Sequence, residues 1–170
     1  MLFLGPYTIT FVRYAVRSLL KVKGVPEDCM VLVKPRPGED TIRTEDILET
    51  IRDHEDSLAL VMLSGVQYYT GQLFDIPAIT AAGHQVGAVV GWDLAHAVAN
   101  VDLQLTSWNV DFAVWCSYKY LNSGAGGIGG AFVHNKHHGR LPAHLEGWWS
   151  NAQDTRFEMR DRCDPAPGAE

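Results

Sequence analysis

Three apolar runs limit what this chain can fold into: residues 57–63 (SLALVML), 86–92 (VGAVVGW) and 112–116 (FAVWC). Each is nearly free of polar side chains, the pattern of a strand covered on both faces rather than one alternating between core and water. Helix signals separate them. Asp75, Ile76 and Pro77 open a helix that closes near Gly87, and a short helical segment spans Leu94 to Asn100. Strand, helix, strand, helix, strand is the order that builds a parallel sheet with right-handed crossovers. The fold class expected is therefore α/β, a mainly parallel sheet flanked by helices.

The upstream third extends the pattern. Tyr14 to Val22 spaces apolar residues as an amphipathic helix, with Gly24 placed to stop it. Val31 to Val33 is expected as a short strand, ended by the turn Lys34-Pro35-Arg36-Pro37-Gly38. Thr44 reads as an N-cap, with Glu45 and Asp46 in the first turn and a helix running to about His54. The third apolar run is expected to end near Lys119, and Gly130 to His134 to form a fourth short strand.

Composition closes off several classes of function. A chain of 170 residues suffices for one domain, and one of this size buries about 70% of its unfolded surface. The net charge of −6 gives no electrostatic support to binding nucleic acid or an anionic membrane. Cys29, Cys116 and Cys163 are odd in number and far apart, which argues for a reducing compartment and against a disulfide framework. The opening MLFLGPYTITFV is apolar but lacks a basic leader and a small-residue cleavage site, and is too short to span a bilayer. It reads as a buried strand or an atypical start.

Ligands in parallel α/β sheets bind beyond the carboxyl ends of the strands. Here three successive strand ends carry Ser64, Asp93 and Lys119. A desolvated lysine has a lowered pKa and forms a Schiff base with a carbonyl; the alternative is a strand-end lysine pointing into water. Asp93 lies about one helix-plus-strand unit upstream. A carboxylate beside such a lysine is what pyridoxal phosphate needs, because the acid keeps the ring nitrogen protonated and makes the ring an electron sink. His96, one turn on, would orient the carboxylate or contact the cofactor. The competing reading makes Asp93 the cap of the following helix.

Other motifs weigh less. Gly124, Gly126 and Gly129 spell a dinucleotide fingerprint, but a strand-like AFVH follows where a helix should open, so the glycines are read as a tight turn beside a ligand. His134, His137, His138 and His144 have no metal-ligand spacing and read as a solvated loop; no metal is expected. Tyr68 and Tyr69 read as packing aromatics, and Trp148 and Trp149 as interface or core anchors.

The stretches LSGVQYYTGQLFDIPAIT, GWDLAHAVANV and DFAVWCSYKYLNSGAGGIGGAFVH together resemble kynureninase, a fold-type-I pyridoxal-phosphate hydrolase, over about Tyr14 to Phe157. The resemblance implies that Lys119 carries the cofactor and later moves protons, and that Asp93 pairs with the pyridine nitrogen beside His96. It further implies that Ser64, Tyr69 and Tyr118 serve the phosphate or its surroundings, and that Trp148 contributes to the cofactor site. The implied reaction is hydrolytic Cβ–Cγ cleavage of kynurenine or 3-hydroxykynurenine to alanine and an anthranilate, a step of tryptophan catabolism, in a cytoplasmic homodimer. The implied layout is an atypical start (1–13), the central part of a cofactor-binding large domain (14–160) and a disordered tail (161–170). The upstream phosphate loop, the ring-stacking aromatic and the small domain would lie outside this chain. A catalytically incompetent truncated subunit, or another fold-type-I enzyme such as a cysteine desulfurase or aminotransferase, are the alternatives.

Overall fold

A computed structural model describes residues 2–4, 10–138, 140 and 146–166. Six strands form one sheet in the order β2-β1-β3-β4-β5-β6. They are β1 (Leu2–Leu4), β2 (Met30–Leu32), β3 (Leu60–Ser64), β4 (Val89–Asp93), β5 (Phe112–Trp115) and β6 (Gly130–Val133). The first five run parallel, and β6 returns antiparallel against β5. Three helices join them: α1 (Thr10–Val22), α2 (Thr44–Asp53) and α3 (Ile76–Gln85). The mainly parallel α/β sheet is thus observed, and Leu2–Leu4 form a strand between β2 and β3.

Several boundaries differ from expectation, each for a local reason. Strand β3 begins at Leu60 rather than residue 57, because the amides of Ser57 and Leu58 fold back onto the His54 carbonyl at 3.0 and 2.9 Å. Likewise Gly87 and Ala88 close α3 onto His84 and Gly83, so β4 starts at Val89. Thr44 is not the cap of α2. Arg43 takes that position with extended backbone and no side-chain cap, its guanidinium held by Glu39 at 3.0 Å, while Asp46 of the first turn pairs with Arg36. Asp75 does cap α3, accepting from the Ala78 amide at 3.0 Å. Residues 94–101 form successive turns rather than a helix, broken where Ala99 takes a positive φ.

The core lies between the sheet and the pair α2–α3. Ile47, Ile51 and Ile79 pack with Val61, Leu63, Val90, Trp92 and Ala113, all inaccessible to solvent. The Trp92 indole N–H donates to Thr80 of α3 at 3.1 Å, so that large ring brings its own polar satisfaction into the core. Side chains alternate across a strand. If Leu63 and Trp92 face the helices, Ser64 and Asp93 at the strand ends face the other side. They are register partners there, with Val114 paired to Asp93 from β5.

Of the tail expected to be disordered, residues 161–166 are described. The Ala152 amide donates to Asp164 O at 2.7 Å and the Ala166 amide to Ser150 O at 2.8 Å, stitching residues 164–166 to 150–152. Residues 167–170, and His144 of the histidine cluster, lie outside the described residues. Of the others in the cluster, His134 is buried and His137 is hydrogen-bonded to Asp111 at 2.7 Å, so neither belongs to a solvated loop, while His138 is exposed as expected. Among the described residues no group of metal-ligating side chains is present, and no helix is long and apolar enough to cross a membrane. The three cysteines are free.

Candidate cofactor site

The carboxyl ends of β3 and β4 carry Ser64 and Asp93 to one end of the sheet, where the turn after β4 and the loop after β5 bring His96 and Lys119 together. Ser64 and Asp93 are both buried side by side. One carboxylate oxygen of Asp93 accepts from the Ala95 amide at 2.9 Å, which ties the strand end to the turn that follows. Asp93 caps no helix, because residues 94–101 form turns; instead it anchors the turn on which His96 sits.

Lys119 is not at the end of β5. The strand stops at Trp115, and residues 117–123 fold into a turn through Asn122 N to Lys119 O (3.2 Å) and Ser123 N to Ser117 O (3.1 Å). The Ser117 hydroxyl lies 2.7 Å from that of Ser123 and donates to the Ile128 carbonyl, closing the loop on itself. Gly124 and Gly126 take the left-handed backbone that this loop demands. Strand β6 follows it directly, so no helix N-terminus exists here for a pyrophosphate.

From that loop the half-buried Lys119 reaches back across the sheet end, its Nζ 3.0 Å from His96 Nε2. Toward an ammonium, which has no lone pair to offer, Nε2 of a neutral imidazole acts as the acceptor and the ring proton then sits on Nδ1. Burial, then the Lys119 charge, holds His96 below the ordinary imidazole range, with Asp93 pulling the other way. His96 thus feels both the amine and the acid. Tyr118 stands beside the lysine, its ring centre 5.6 Å from Nζ, and is half exposed.

The remaining candidates lie further out. Tyr69 follows β3 in the adjacent loop, its amide bonded to Gln67 and its ring 6.3 Å from that of Tyr68, which in turn stands 6.3 Å from His96. Both tyrosines are too exposed (47% and 76%) to be the packing aromatics expected of them. Trp148 is held elsewhere: its indole donates to Arg156 O at 3.0 Å, and its ring packs on Trp149 and Phe157. It is half exposed and not a core anchor. Among the described residues its recorded contacts stay within 146–166. Sequence reasoning missed Ser117 and Ser123, which lock the lysine loop, and Tyr120, whose ring lies 5.9 Å from His96.

A half-buried amine and a buried carboxylate, both felt by one imidazole at the end of a parallel sheet, are what a carbonyl cofactor would require of an α/β scaffold, and the comparisons name the class. The chain belongs to the aminotransferase class-V family, whose model matches residues 28–158; the family is pyridoxal-phosphate-dependent. Within it, the chain is 55% identical to kynureninase of Mus musculus and 54% to that of Homo sapiens, over 92% of its own length. Kynureninase of Saccharomyces cerevisiae is 56% identical over the same share. The chain spans only 34% to 36% of these relatives. Among solved structures, cysteine desulfurase from Thermococcus onnurineus covers 96% of the chain with a TM-score of 0.73 at 16% identity, the chain covering 38% of it. Ureidoglycine–glyoxylate aminotransferase from Bacillus subtilis covers 79% with a TM-score of 0.62 at 17% identity, and 33% of its own chain is matched. At those identities the likeness is one of fold.

Proposed function

We propose that this chain carries the cofactor-anchoring core of a kynureninase-type enzyme, one that cleaves the Cβ–Cγ bond of kynurenine or 3-hydroxykynurenine by hydrolysis, giving alanine and an anthranilate. The observation that carries the reading is the Lys119–His96 contact at 3.0 Å beside buried Asp93. The donor set fits pyridoxal phosphate: an amine for its aldehyde, a carboxylate for its ring nitrogen and hydroxyls for its phosphate. When bound, that cofactor supplies an electron sink for the cleaved carbon centre.

The chain's own residues divide the work. Lys119 binds the cofactor through Nζ and afterwards moves protons at that atom, with His96 Nε2 as the neighbouring acceptor. Asp93 holds the ring nitrogen protonated, its orientation fixed by the Ala95 amide. Ser64, Tyr118 and Tyr69 are assigned to the phosphate and its surroundings, and Trp148 to the cofactor site; for Trp148 and Tyr69 the support is the family resemblance. The layout follows, with residues 14–160 forming the central part of a cofactor-binding large domain. The assembly expected is a cytoplasmic homodimer.

Borohydride reduction in the presence of pyridoxal phosphate, followed by peptide mapping, tests the assignment. Label is expected on Lys119 and abolished in Lys119→Ala; label on another lysine, or none, overturns it. Turnover of kynurenine set against cysteine and amino-donor substrates separates the hydrolase from a desulfurase or transaminase. A second reading has its own observation. On the sheet face opposite α2–α3, Val89 of β4 and Val114 of β5 are exposed at 43% and 39%. That favours a chain which works only when further polypeptide covers this face. A monodisperse, cofactor-loaded species of the chain alone would refute it.

A further inference from the structure

His96 is the one side chain at the site whose direction matters at the level of a single atom, since only Nε2 faces the lysine. Its main chain is held from below: Nδ2 of the Asn100 side chain donates to the His96 carbonyl at 2.9 Å. That leaves the ring free to turn about its own side-chain bonds. Two aromatic rings from separate segments restrain it. Tyr120, from the lysine loop, meets the imidazole nearly edge-on at 5.9 Å between ring centres and 69° between planes. Tyr68, from the loop after β3, lies 6.3 Å away at 37°. Neither tyrosine is in the core, being 46% and 47% exposed, and both wall an open cleft of about 360 Å³ that His96 also lines. Two large half-exposed rings converging on one imidazole, in a cleft rather than a core, are placed at the cost of apolar exposure. Edge-to-face contacts of this kind have directional preference as well as area.

We propose that Tyr120 and Tyr68 are positioning residues, an aromatic clamp that holds the His96 imidazole with Nε2 aimed at the Lys119 amine. The proposal deepens the cofactor-site reading and rests on it for its relevance to catalysis. The clamp acts before any cofactor arrives. A free imidazole prefers its proton on Nε2, whereas an imidazole held against an ammonium must carry it on Nδ1. Tyr120 also rides on the lysine loop, so one segment supplies both the amine and the ring that steers its acceptor. The charged groups facing His96 are Lys119 and Asp93.

The test is nitrogen-15 NMR of the full chain labelled at histidine, without cofactor. Wild-type His96 is expected to show a protonated Nδ1 and an unprotonated, hydrogen-bonded Nε2, with a titration midpoint below that of free imidazole. Tyr120→Leu and Tyr68→Leu should shift the tautomer toward Nε2–H and raise the midpoint, whereas Tyr120→Phe, which keeps the ring, should behave as wild type. A Tyr120→Leu chain with an intact amide spectrum and an unchanged tautomer overturns the proposal, as does a Tyr120→Phe chain that behaves like Tyr120→Leu. A second readout needs no variant: a nuclear Overhauser contact between the Tyr120 and His96 ring protons is expected, and its absence overturns the clamp. Because every readout is taken without pyridoxal phosphate, failure of the cofactor reading in the borohydride experiment leaves this result standing, and the reverse holds equally.

Discussion

Asp111 is the most heavily bonded side chain among the described residues, and it sits at the opposite end of β5 from the candidate site. Its Oδ2 accepts from the Val90 amide and from His84, and its Oδ1 meets His137 and the Lys136 ammonium, all at 2.7 Å. Burial alone would raise this acid, but the bonds from Lys136, Val90, His84 and His137 outweigh it and hold the carboxyl well below the usual range. A depressed carboxylate contributes stability that is full above its unfolded value, near 4, and lost as pH falls below that. Asp111→Asn is therefore expected to cost about 2 kcal/mol at neutral pH, since it takes the charged acceptor away from the Val90 amide, two imidazoles and a part-exposed ammonium that keeps its bonds to Asn109. It should also flatten the acid limb of the stability curve between about pH 4 and 2. Urea melts across that range measure both effects. His96 obeys the same sign from its own side: its lowered imidazole favours the neutral form in the fold, so stability should decline as pH drops below about 6.5. Lys119→Met, which removes the repelling charge, should weaken that dependence.

The turns at 94–101 are the element on which the site depends, and they are seated on Gly65. A Cβ built at Gly65 would lie 2.8 Å from Leu94 Cδ2 and 3.0 Å from Ala97 Cβ, both on the segment that carries His96. Gly65→Ala should push that segment outward, costing about 1 to 3 kcal/mol through overpacking. It should also weaken pyridoxal phosphate retention, followed as visible absorbance during titration. Gly91 plays the corresponding part between strands, where a Cβ would collide with the Phe112 ring. How far such elements are legible in sequence depends on how local their causes are. Helix α3 was readable because Asp75 and Pro77 at its start, and Gly87 just past its end, each act on the nearest turn. The strands were readable as apolar runs, but their starts were not. Helix-closing bonds such as Leu58 N to His54 O compete with the strand for the same amides. Asp93 and His96 could be named because a strand end and one turn fix their separation. The lysine loop could not be drawn, since its lock is a pair of ordinary serines, Ser117 and Ser123, six residues apart. The Asp111 network was hidden for another reason: His84 and His137 come from segments that only the folded sheet brings together.

At the scale of the whole molecule the sheet is two-sided and unevenly covered. Helices α2 and α3 seal one face over Val61, Val90, Trp92 and Ala113. On the other, Val89, Phe112, Val114, Ala131 and Val133 line an apolar groove of about 310 Å³. Val114 is the register partner of Asp93, so the groove and the buried acid share one face of the sheet. Whatever packs there would also set how much water reaches the cofactor site, coupling coverage of the face to the strength of charge interactions within it. A contiguous apolar groove left in water binds amphiphilic dyes and promotes association. The chain alone is accordingly expected to enhance anilinonaphthalene sulfonate fluorescence and to scatter light increasingly with concentration. Val89→Lys places a charge on the groove at the end of β4 remote from Asp93, and its side chain is 43% exposed. It should suppress both signals while moving stability by no more than about 0.5 kcal/mol, as exposed substitutions generally do. Lysine labelling by borohydride in Val89→Lys should match wild type if the groove and the cofactor site are separable. A loss of labelling would mean that the site needs the face covered, with the groove acting as its outer wall.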